Sequence, residues 1–516
     1  LVTGRTAERL LYALRIRIFA HLQRLSLDFY NREMGGRIMT RMTTDVEALS
    51  QLLQTGLISA IVSLFTCAGV FVFLILLSPQ LALVAATVLP PLALATYWYK
   101  RRSSQAYARA RDSIASVNAN LQESLSGVRV AQAYAREDRN ISGFRDVNSE
   151  YLSARLEAQR LIAVYFPFVL LLADVGAAVV LGAGSAFVAN GTVTAGVVIA
   201  FVLYLDLFFS PIQQLSQVFD TWQQAGASMH MINELMATPS GTPPAPVPVA
   251  PGRLQGRLEF DDVHFTYPGA AAGPDREALS GVSLTIAPGE TVALVGETGA
   301  GKSTIVKLVA RFYDPTNGRV LIDGQDLRSL DLGAFRRQLG VVPQEACLFT
   351  GTIRDNIAYG RPSASNAEVE AAARAVGAHD FIAAMAGGYL APVSERGRSL
   401  SAGQRQLIAL ARARLVDPVV LLLDEATSNL DLGTEARVQR AMGLVAEGRT
   451  TILVAHRLTT AATAARIFVG DGGRIVEEGT HASLMELGGR YSSLWETFTE
   501  GSPDALVASG TFRNQP

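Results

Sequence analysis

The stretch "TVALVGETGAGKST", Thr291–Thr304, decides the fold of the second half of this 516-residue chain. Four of its residues, Gly296, Gly301, Lys302 and Ser303, fit the pattern G-x-x-x-x-G-K-[ST] in full. An apolar run typical of a buried strand comes before the pattern, and a helix-compatible sequence follows it. This order predicts a strand, a glycine-rich loop and a helix, with backbone N–H groups surrounding the phosphates of a nucleotide.

The loop and the first turn of its helix are expected to bind ATP. Lys302 would reach the terminal phosphates, and the hydroxyl of Ser303 would hold Mg²⁺. The residues expected to contact the nucleotide here are Gly296, Glu297, Thr298, Gly299, Ala300, Gly301, Lys302, Ser303 and Thr304. ATP and Mg²⁺ are therefore the predicted cofactors.

Two further apolar runs end in residues that suit phosphate chemistry. "VVLLLDEAT", Val419–Thr427, is typical of a buried strand and ends in Asp424 and Glu425. We expect Asp424 to hold Mg²⁺ through water and Glu425 to act as general base toward the attacking water. His456 follows another strand-like run and is placed to contact the γ-phosphate. Strands and helical stretches alternate throughout this half, which is an α/β pattern.

The first half of the chain is apolar enough to span a membrane. No charged residue occurs from Ala48 to Tyr99, whereas one span needs only about 20 residues. This stretch, with a turn near Ser78–Gln80, and a second apolar region predict four spans: Gln51–Leu77, Leu81–Tyr99, Leu161–Val188 and Thr194–Leu215. Thr6–Leu27 mixes apolar spacing with arginines, which predicts a cytoplasmic helical extension.

The distribution of charge predicts the orientation. Arginines before Asp28 and the run "YKRRSS", Tyr99–Ser104, place the segment Lys100–Arg160 in the cytoplasm. We therefore expect a multi-pass protein of the cytoplasmic (inner) membrane, in contact with lipid. The net charge of -1 argues against nucleic acid as a partner. Cys67 and Cys347 lie in segments of different kinds, so no disulfide or metal site is expected.

Two acidic residues, Asp174 and Asp206, lie inside the last two predicted spans. A carboxylate at the middle of a bilayer costs about 2.5–3.5 kcal/mol on insertion scales, so each should face a cavity or a partner. One interpretation is an acid that contacts substrate or takes part in gating. The other is a satisfied hydrogen bond between helices, and the sequence leaves both open.

Composition divides the chain into four parts. Residues 1–236 are expected to form an all-α transmembrane domain, and residues 237–252, "ATPSGTPPAPVPVAPG", an extended proline-rich linker. An α/β P-loop ATPase domain would occupy residues 253–500, and residues 501–516 would be a disordered tail.

The order of motifs in the second half resembles the nucleotide-binding domain of ABC transporters. The motifs are "FTYPG" around Tyr267, "VVPQE" around Gln344, "SERGRSLSAGQRQ", "SNLD" ending at Asp431, and His456. The resemblance implies that Tyr267 stacks on adenine, that Gln344 lies near Mg²⁺, and that Asp431 belongs to the nucleotide site. The implied catalytic residues are Glu425, His456, Gln344 and Lys302, and those implied for Mg²⁺ are Ser303, Gln344 and Asp424.

The signature motif implies a site shared between two subunits. Ser401, Ala402, Gly403 and Gln404 would bind the nucleotide held by the Lys302 loop of a partner subunit. Alanine stands at Ala402 where the family usually has glycine. Alanine keeps the backbone N–H, so function should be retained unless the position requires a positive φ or leaves no room for Cβ.

The first half resembles the membrane domain of exporters of the type IV fold. Short coupling helices are expected near Phe29–Gly36 and Tyr134–Phe144, one docking on the ATPase domain of its own chain and one on that of the partner. The family has six spans in each half, whereas four are predicted here. We therefore expect the first span and most of the second to be missing ahead of Leu1.

The resemblance implies one half of a dimeric exporter, driven by ATP hydrolysis and acting on a hydrophobic or amphipathic small molecule, a drug or a lipid. The sequence leaves homodimer and heterodimer open. It also leaves open two alternatives: an accessory ATP-binding subunit of a heterodimer, and a siderophore importer of the same fold.

Overall fold

The computed structural model describes residues 2–268, 277–424, 431–455 and 457–501. Two predicted catalytic residues, Glu425 and His456, and residues 502–516 of the predicted tail lie outside these ranges. The chain divides into two compact units. One holds Leu1–Phe19 with Met39–Met236, and the other holds Ala20–Ile38 with the described residues of Ala237–Pro516.

The part of the chain before the linker is helical. Its helices are α1 (Val2–Leu22), α2 (Leu27–Arg32), α3 (Gly35–Thr40), α4 (Val46–Gln51), α5 (Leu57–Leu77), α6 (Pro79–Ala86), α7 (Leu89–Ser126), α8 (Val128–Ala133), α9 (Glu137–Ala189) and α10 (Ala195–Ala237). Two π-helical segments, Arg41–Asp45 and Leu52–Gly56, join α3, α4 and α5 into one run.

Among the described residues, three helical runs are long and apolar enough to cross a membrane: Gly35–Leu77, Pro79–Ser126 and Glu137–Ala189. The fourth predicted span corresponds to the apolar beginning of α10, Ala195–Leu205. The predicted turn at Ser78 is present, since Ser78 is extended and its hydroxyl accepts a hydrogen bond of 3.3 Å from the N–H of Leu81. The number of spans stays a prediction.

The helices run further than their apolar segments. The predicted span Leu81–Tyr99 continues to Ser126, and the span predicted at Leu161 begins at Glu137. The added residues are mostly polar and exposed, and helix propagation adds one hydrogen bond for each residue fixed. These extensions fall within Lys100–Arg160, the segment predicted to be cytoplasmic.

The N-terminal helical extension and the two short helices have bounds that differ from the predicted ones. The extension predicted over Thr6–Leu27 ends at Leu22, and α2 begins after Ser26, whose backbone is extended. The second short helix, α8, precedes the range Tyr134–Phe144 in which we expected it. The chain breaks there instead, because Ala135 has a positive φ of 50° that a helix cannot continue through.

The ATPase domain is an α/β domain, as predicted. Its strands are β1 (Leu258–Phe265), β2 (Leu279–Ile286), β3 (Thr291–Gly296), β4 (Asn317–Ile322), β5 (Gln325–Asp326), β6 (Leu339–Val342), β7 (Gly351–Thr352), β8 (Pro392–Val393), β9 (Val420–Asp424), β10 (Thr450–Val454), β11 (Arg466–Asp471) and β12 (Arg474–Gly479). Its helices are α11 (Lys302–Val309), α12 (Leu332–Arg336), α13 (Ile353–Ile357), α14 (Asn366–Ala375), α15 (His379–Ala384), α16 (Ala402–Val416), α17 (Leu432–Ala446), α18 (Leu458–Ala461), α19 (His481–Leu487) and α20 (Arg490–Gly501).

The main sheet has the strand order β12-β11-β3-β10-β9-β6, and a second sheet has the order β2-β1-β4-β5. Strand β3 shows why its sequence is apolar throughout. Val292 and Leu294 enter the core shared with the second sheet, and Ala293 and Val295 enter the core on the other face. Strands covered on both faces need apolar residues at every position.

Candidate nucleotide-binding site

Three sequence-predicted positions lie at the ends of neighbouring strands. In the parallel register, Val454 of β10 pairs with Leu294 of β3 on one side and with Asp424 of β9 on the other. Leu423 pairs in turn with Val342 of β6. Because parallel strands end at the same edge, the loop after Gly296, Asp424 and the loop that carries Gln344 meet at one edge of the sheet. Gln344 is exposed there.

The phosphate-binding loop depends on two glycines. Gly296 has φ 147° and Gly301 has φ 93°, which is a conformation that favours glycine. A Cβ on Gly296 would lie 2.2 Å from the carbonyl oxygen of Gly470, and one on Gly301 would lie 2.8 Å from that of Ala278. The fixed loop then leads into α11, whose first N–H groups suit an anion.

Lys302 is held across the loop. Its Nζ donates hydrogen bonds to the carbonyl oxygens of Gly296, at 2.6 Å, and Glu297, at 2.9 Å. Burial lowers the pKa of Lys302, and the nearby Asp424 carboxylate partly offsets this shift. Ser303, the next residue, is exposed at the start of α11. The cation and the carboxylate thus lie close enough to interact.

Tyr267 packs against the helix that follows the loop. Its hydroxyl is 3.1 Å from Oγ1 of Thr304 and accepts a hydrogen bond of 3.3 Å from Nζ of Lys307. Its ring meets the rings of Phe265 and Tyr313 edge to face, at centroid distances of 4.8 Å and 5.4 Å. These contacts fix the ring beside the loop.

Ser401 and Gln404 form a capping box at the start of α16. The Ser401 hydroxyl accepts a hydrogen bond of 3.2 Å from the N–H of Gln404, whose side-chain oxygen accepts one of 2.9 Å from the N–H of Ser401. Ala402 is the first residue of the helix, and its φ is not positive. Alanine is therefore compatible with the backbone here. Gly403 is buried beneath the turn.

Asp431 caps a second helix of the domain. It precedes α17, and its carboxylate accepts a hydrogen bond of 3.0 Å from the N–H of Thr434. The side chain and then the backbone of Thr434 hold the pKa of Asp431 below its usual range. The carboxylate therefore stays ionised at neutral pH.

These residues fit the predicted cofactors. Two glycines let the loop pack directly against neighbouring backbone where a Cβ would collide, and cationic Lys302 reaches across the loop. Among the described residues, no three His, Cys, Asp or Glu side chains form a metal cluster. A single carboxylate, Asp424, together with the hydroxyl of Ser303 and the amide of Gln344, suits Mg²⁺, which binds few protein oxygens when phosphates supply the others.

Comparison with known proteins gives a family match for each half of the chain. The ABC transporter transmembrane region matches residues 1–212, and the ABC transporter domain matches residues 279–428. An uncharacterised ABC transporter ATP-binding protein of Bacillus subtilis is 39% identical over 487 residues, which cover 94% of this chain and 80% of that protein. The chain belongs to the ABC transporter family.

Two further similar proteins are exporters by name. A multidrug efflux ATP-binding/permease protein of Mycobacterium tuberculosis is 46% identical over 499 residues, which cover 97% of this chain and 41% of that protein. The chain therefore spans about two fifths of the mycobacterial relative. The solved structure of a bacterial Atm1-family ABC exporter with ATP bound has a TM-score of 0.81 and 32% identity, over 96% of this chain and 86% of that one.

Family membership confirms three predictions. The fold is a helical membrane domain followed by an ABC ATPase domain. The chain is a membrane protein, and its ATPase domain lies in the cytoplasm, as in such transporters. An ABC ATPase domain also implies that the chain binds ATP.

Sequence reasoning missed how the first short helix is held. α2 belongs to the same compact unit as the ATPase domain. Its Asn31 side chain donates a hydrogen bond of 2.8 Å to the hydroxyl of buried Tyr313, and Leu27 packs on the same core. Nearby, the hydroxyl of Ser26 accepts a hydrogen bond of 3.2 Å from the N–H of Gly241. The first cytoplasmic loop is thus bound to the ATPase domain of its own chain.

A second contact that we did not predict ties the phosphate-binding loop to the last helix. Arg490, the first residue of α20, donates a hydrogen bond of 2.9 Å to the carboxylate of Glu297. The two residues are far apart in sequence, and both are charged surface residues, so no local pattern marks the pair.

We expect Tyr267→Ala to weaken ATP binding about tenfold, because stacking of a base on an aromatic ring contributes roughly 1–3 kcal/mol. Binding of ATP to the purified protein measures this effect. Tyr267→Phe is the matched control, since it keeps the ring and removes only the hydroxyl contacts with Thr304 and Lys307. Equal affinity in wild type and Tyr267→Ala would refute the stacking role.

Tyr313→Phe should reduce transport roughly threefold to tenfold while basal ATP hydrolysis stays within about twofold of wild type. The change removes the acceptor of the Asn31 hydrogen bond and keeps the buried ring, and one such bond contributes about 0.5–1.5 kcal/mol. Tyr389→Phe is the matched control, because it removes a 2.9 Å contact with His379 elsewhere in the domain. Equal losses in both variants would show that the Asn31 contact has no special role.

Proposed function

We propose that this chain is one half of a dimeric exporter that uses ATP to move hydrophobic or amphipathic compounds across the cytoplasmic membrane. The observation that carries the proposal is the union, in one chain, of long membrane helices and an ATPase domain with an ordered phosphate-binding loop. Related proteins named for multidrug efflux support export, and support a drug-like substrate class.

Each ATP site in this proposal is shared by two halves. The phosphate-binding loop of one subunit faces the Ser401 helix of the other. Within one chain the two helices lie on opposite faces of the main sheet, since Leu308 of α11 enters the core shared with the second sheet and Leu410 of α16 enters the core on the other face. Each end supplies backbone N–H groups that suit an anion. The two helix ends can bind the phosphates of one ATP together when a second copy of the domain closes on the first.

The residues predicted for the nucleotide site divide the chemistry of hydrolysis. Lys302 neutralises the terminal phosphates, and Glu425 accepts a proton from the attacking water. Ser303, Asp424 and Gln344 would hold Mg²⁺, which supplies charge neutralisation on the phosphate oxygens when bound. His456 would contact the γ-phosphate. Closure of the two ATPase domains then moves the bound cytoplasmic loops, and hydrolysis resets them.

The membrane helices supply an apolar surface for such compounds. A small cavity with a volume of about 40 Å³ lies between α5, α6, α10 and the start of α7. Its lining is apolar and includes Phe71, Leu74, Phe201 and Leu205. An apolar lining of this kind favours hydrocarbon groups of a drug or a lipid.

Two measurements test the proposal against its alternatives. ATP hydrolysis by the purified protein in lipid, screened with drugs, lipids and peptides, should rise with an amphipathic compound. Hydrolysis by a homodimer would disfavour the accessory-subunit alternative, whereas activity that appears only with a second type of half would support it. In vesicles with the ATPase domain outside, the compound should accumulate inside. Movement of a siderophore in the opposite direction would overturn export.

A further inference from the structure

The apolar helices of this chain carry acidic residues with no basic residue nearby in sequence. Asp174 lies in α9 and Asp206 in α10. No lysine or arginine occurs from Leu161 to Gly252, and no charged residue occurs from Ala48 to Tyr99. These segments therefore supply no counterion for the two carboxylates.

The two acids lie at a similar depth in the membrane domain. Asp174 is about 22 Å from the outer end of α9 at Ala189, and Asp206 is about 17 Å from the outer end of α10 at Ala195, at 1.5 Å per residue. Packing agrees with this estimate. A Cβ on Gly176, one half-turn from Asp174, would lie 3.5 Å from Cδ2 of Leu205, the neighbour of Asp206. The two positions thus belong to one layer of helix backbone in the domain.

Asp174 lies on the face of α9 that the other helices of its unit leave uncovered. The buried residues of α9 include Tyr165, Val169, Gly176 and Val180, which follow one side of the helix. At 100° per residue, Asp174 is roughly 150° away from that side. Asp174 is exposed, and the described part of the chain offers it no hydrogen bond or ion pair. The interhelical hydrogen bond considered from the sequence is therefore not found within this unit.

We propose that Asp174 faces the translocation pathway and makes the transporter prefer cationic amphipathic compounds over uncharged ones. A carboxylate facing lipid at this depth is strongly disfavoured, so the uncovered face of α9 must meet a water-filled cavity or a polar or charged partner. A compound with a positive group and an apolar body would satisfy both the carboxylate and the apolar residues around it. The proposal rests on the export function proposed above and names its substrate class.

The test compares two probes in vesicles that contain the complete transporter. Tetraphenylphosphonium is a permanent cation, and Nile red is uncharged and apolar. In wild type, ATP-dependent uptake of tetraphenylphosphonium should saturate at a lower concentration than that of Nile red. Asp174→Asn should raise the half-saturating concentration of tetraphenylphosphonium about tenfold or more and leave that of Nile red within about twofold.

Two further variants separate charge from structure. Asp174→Glu keeps the carboxylate and should restore most of the preference. Asp146→Asn removes an exposed acid from the polar part of the same helix and should change neither probe. Equal responses of wild type and Asp174→Asn to tetraphenylphosphonium would overturn the proposal.

Other outcomes identify a different occupant. If Asp174→Asn separates the two halves of the transporter, or reduces both probes equally, the carboxylate pairs with protein, and the proposal is wrong. If wild type moves Nile red but never tetraphenylphosphonium, export stands and the cation preference falls. If wild type moves no probe or lipid in the presence of ATP, the export function itself fails.

Discussion

Replacing Lys302 by alanine is expected to lower ATP hydrolysis at least about a hundredfold, because the variant loses the cation that faces the developing charge on the phosphates. In the structure, Nζ of Lys302 bonds the carbonyl oxygens of Gly296 and Glu297 and lies near Asp424. The side chain is therefore already positioned over the loop, and its removal leaves no other residue of the loop to supply the charge.

The measurement is ATP hydrolysis by the purified protein in lipid, with thermal unfolding recorded alongside. Arg319→Ala is the control, since it removes an exposed side chain whose ion pair with Asp261 lies away from the loop. The control should hydrolyse ATP at the wild-type rate. Hydrolysis by Lys302→Ala within about twofold of wild type would contradict the assigned role.

Replacing Glu425 by glutamine should lower turnover about a hundredfold to ten-thousandfold while ATP still binds. A general base contributes a factor of this size, and glutamine keeps the shape but accepts no proton. Glu425 directly follows Asp424, the last residue of β9 at the sheet edge that carries the phosphate-binding loop. We also expect the variant to favour the closed dimer, because ATP stays bound and uncleaved.

ATP binding and dimer formation in the Glu425→Gln variant are measured separately from hydrolysis. Glu447→Gln, at the far end of α17, is the matched control and should keep wild-type turnover. Turnover by Glu425→Gln at the wild-type rate would refute the base assignment. Loss of ATP binding together with turnover would point to a structural role instead.

The ATPase half could be predicted closely because its signals are local. A strand, a loop and a helix are encoded by the fourteen residues around Gly296 and Lys302, and the conformation of each glycine follows from the loop itself. The capping pair Ser401 and Gln404 is also local, since the two residues are three positions apart. Such patterns need no knowledge of the rest of the fold.

The contacts that link distant segments could not be predicted in the same way. Asn31 and Tyr313 are 282 residues apart, and neither residue belongs to a recognisable motif. Arg490 and Glu297 are two ordinary charged residues until the fold brings them together. The family resemblance implied that a short helix docks on the ATPase domain, but the partner side chains appear only in the structure.

The predicted ends of the membrane helices were wrong for a different reason. Apolar segments indicate which part of a helix contacts lipid. The helix itself ends where the backbone dihedral angles leave the helical range, as at Ser78 and Ala135. α7 and α9 therefore run far beyond their apolar parts, and α8 lies before its predicted range.

Mixed pairs of variants test whether each ATP site is built from two subunits, as proposed above. Two copies of the chain are joined in tandem, with Lys302→Ala and Ser401→Ala placed either on separate copies or on the same copy. In a shared site, the separate arrangement leaves one intact pair of Lys302 and Ser401, and the same-copy arrangement leaves none. We predict about half of the wild-type ATP hydrolysis for the separate arrangement and almost none for the same-copy arrangement. The reverse order would contradict shared sites, because it would place each complete site within one chain.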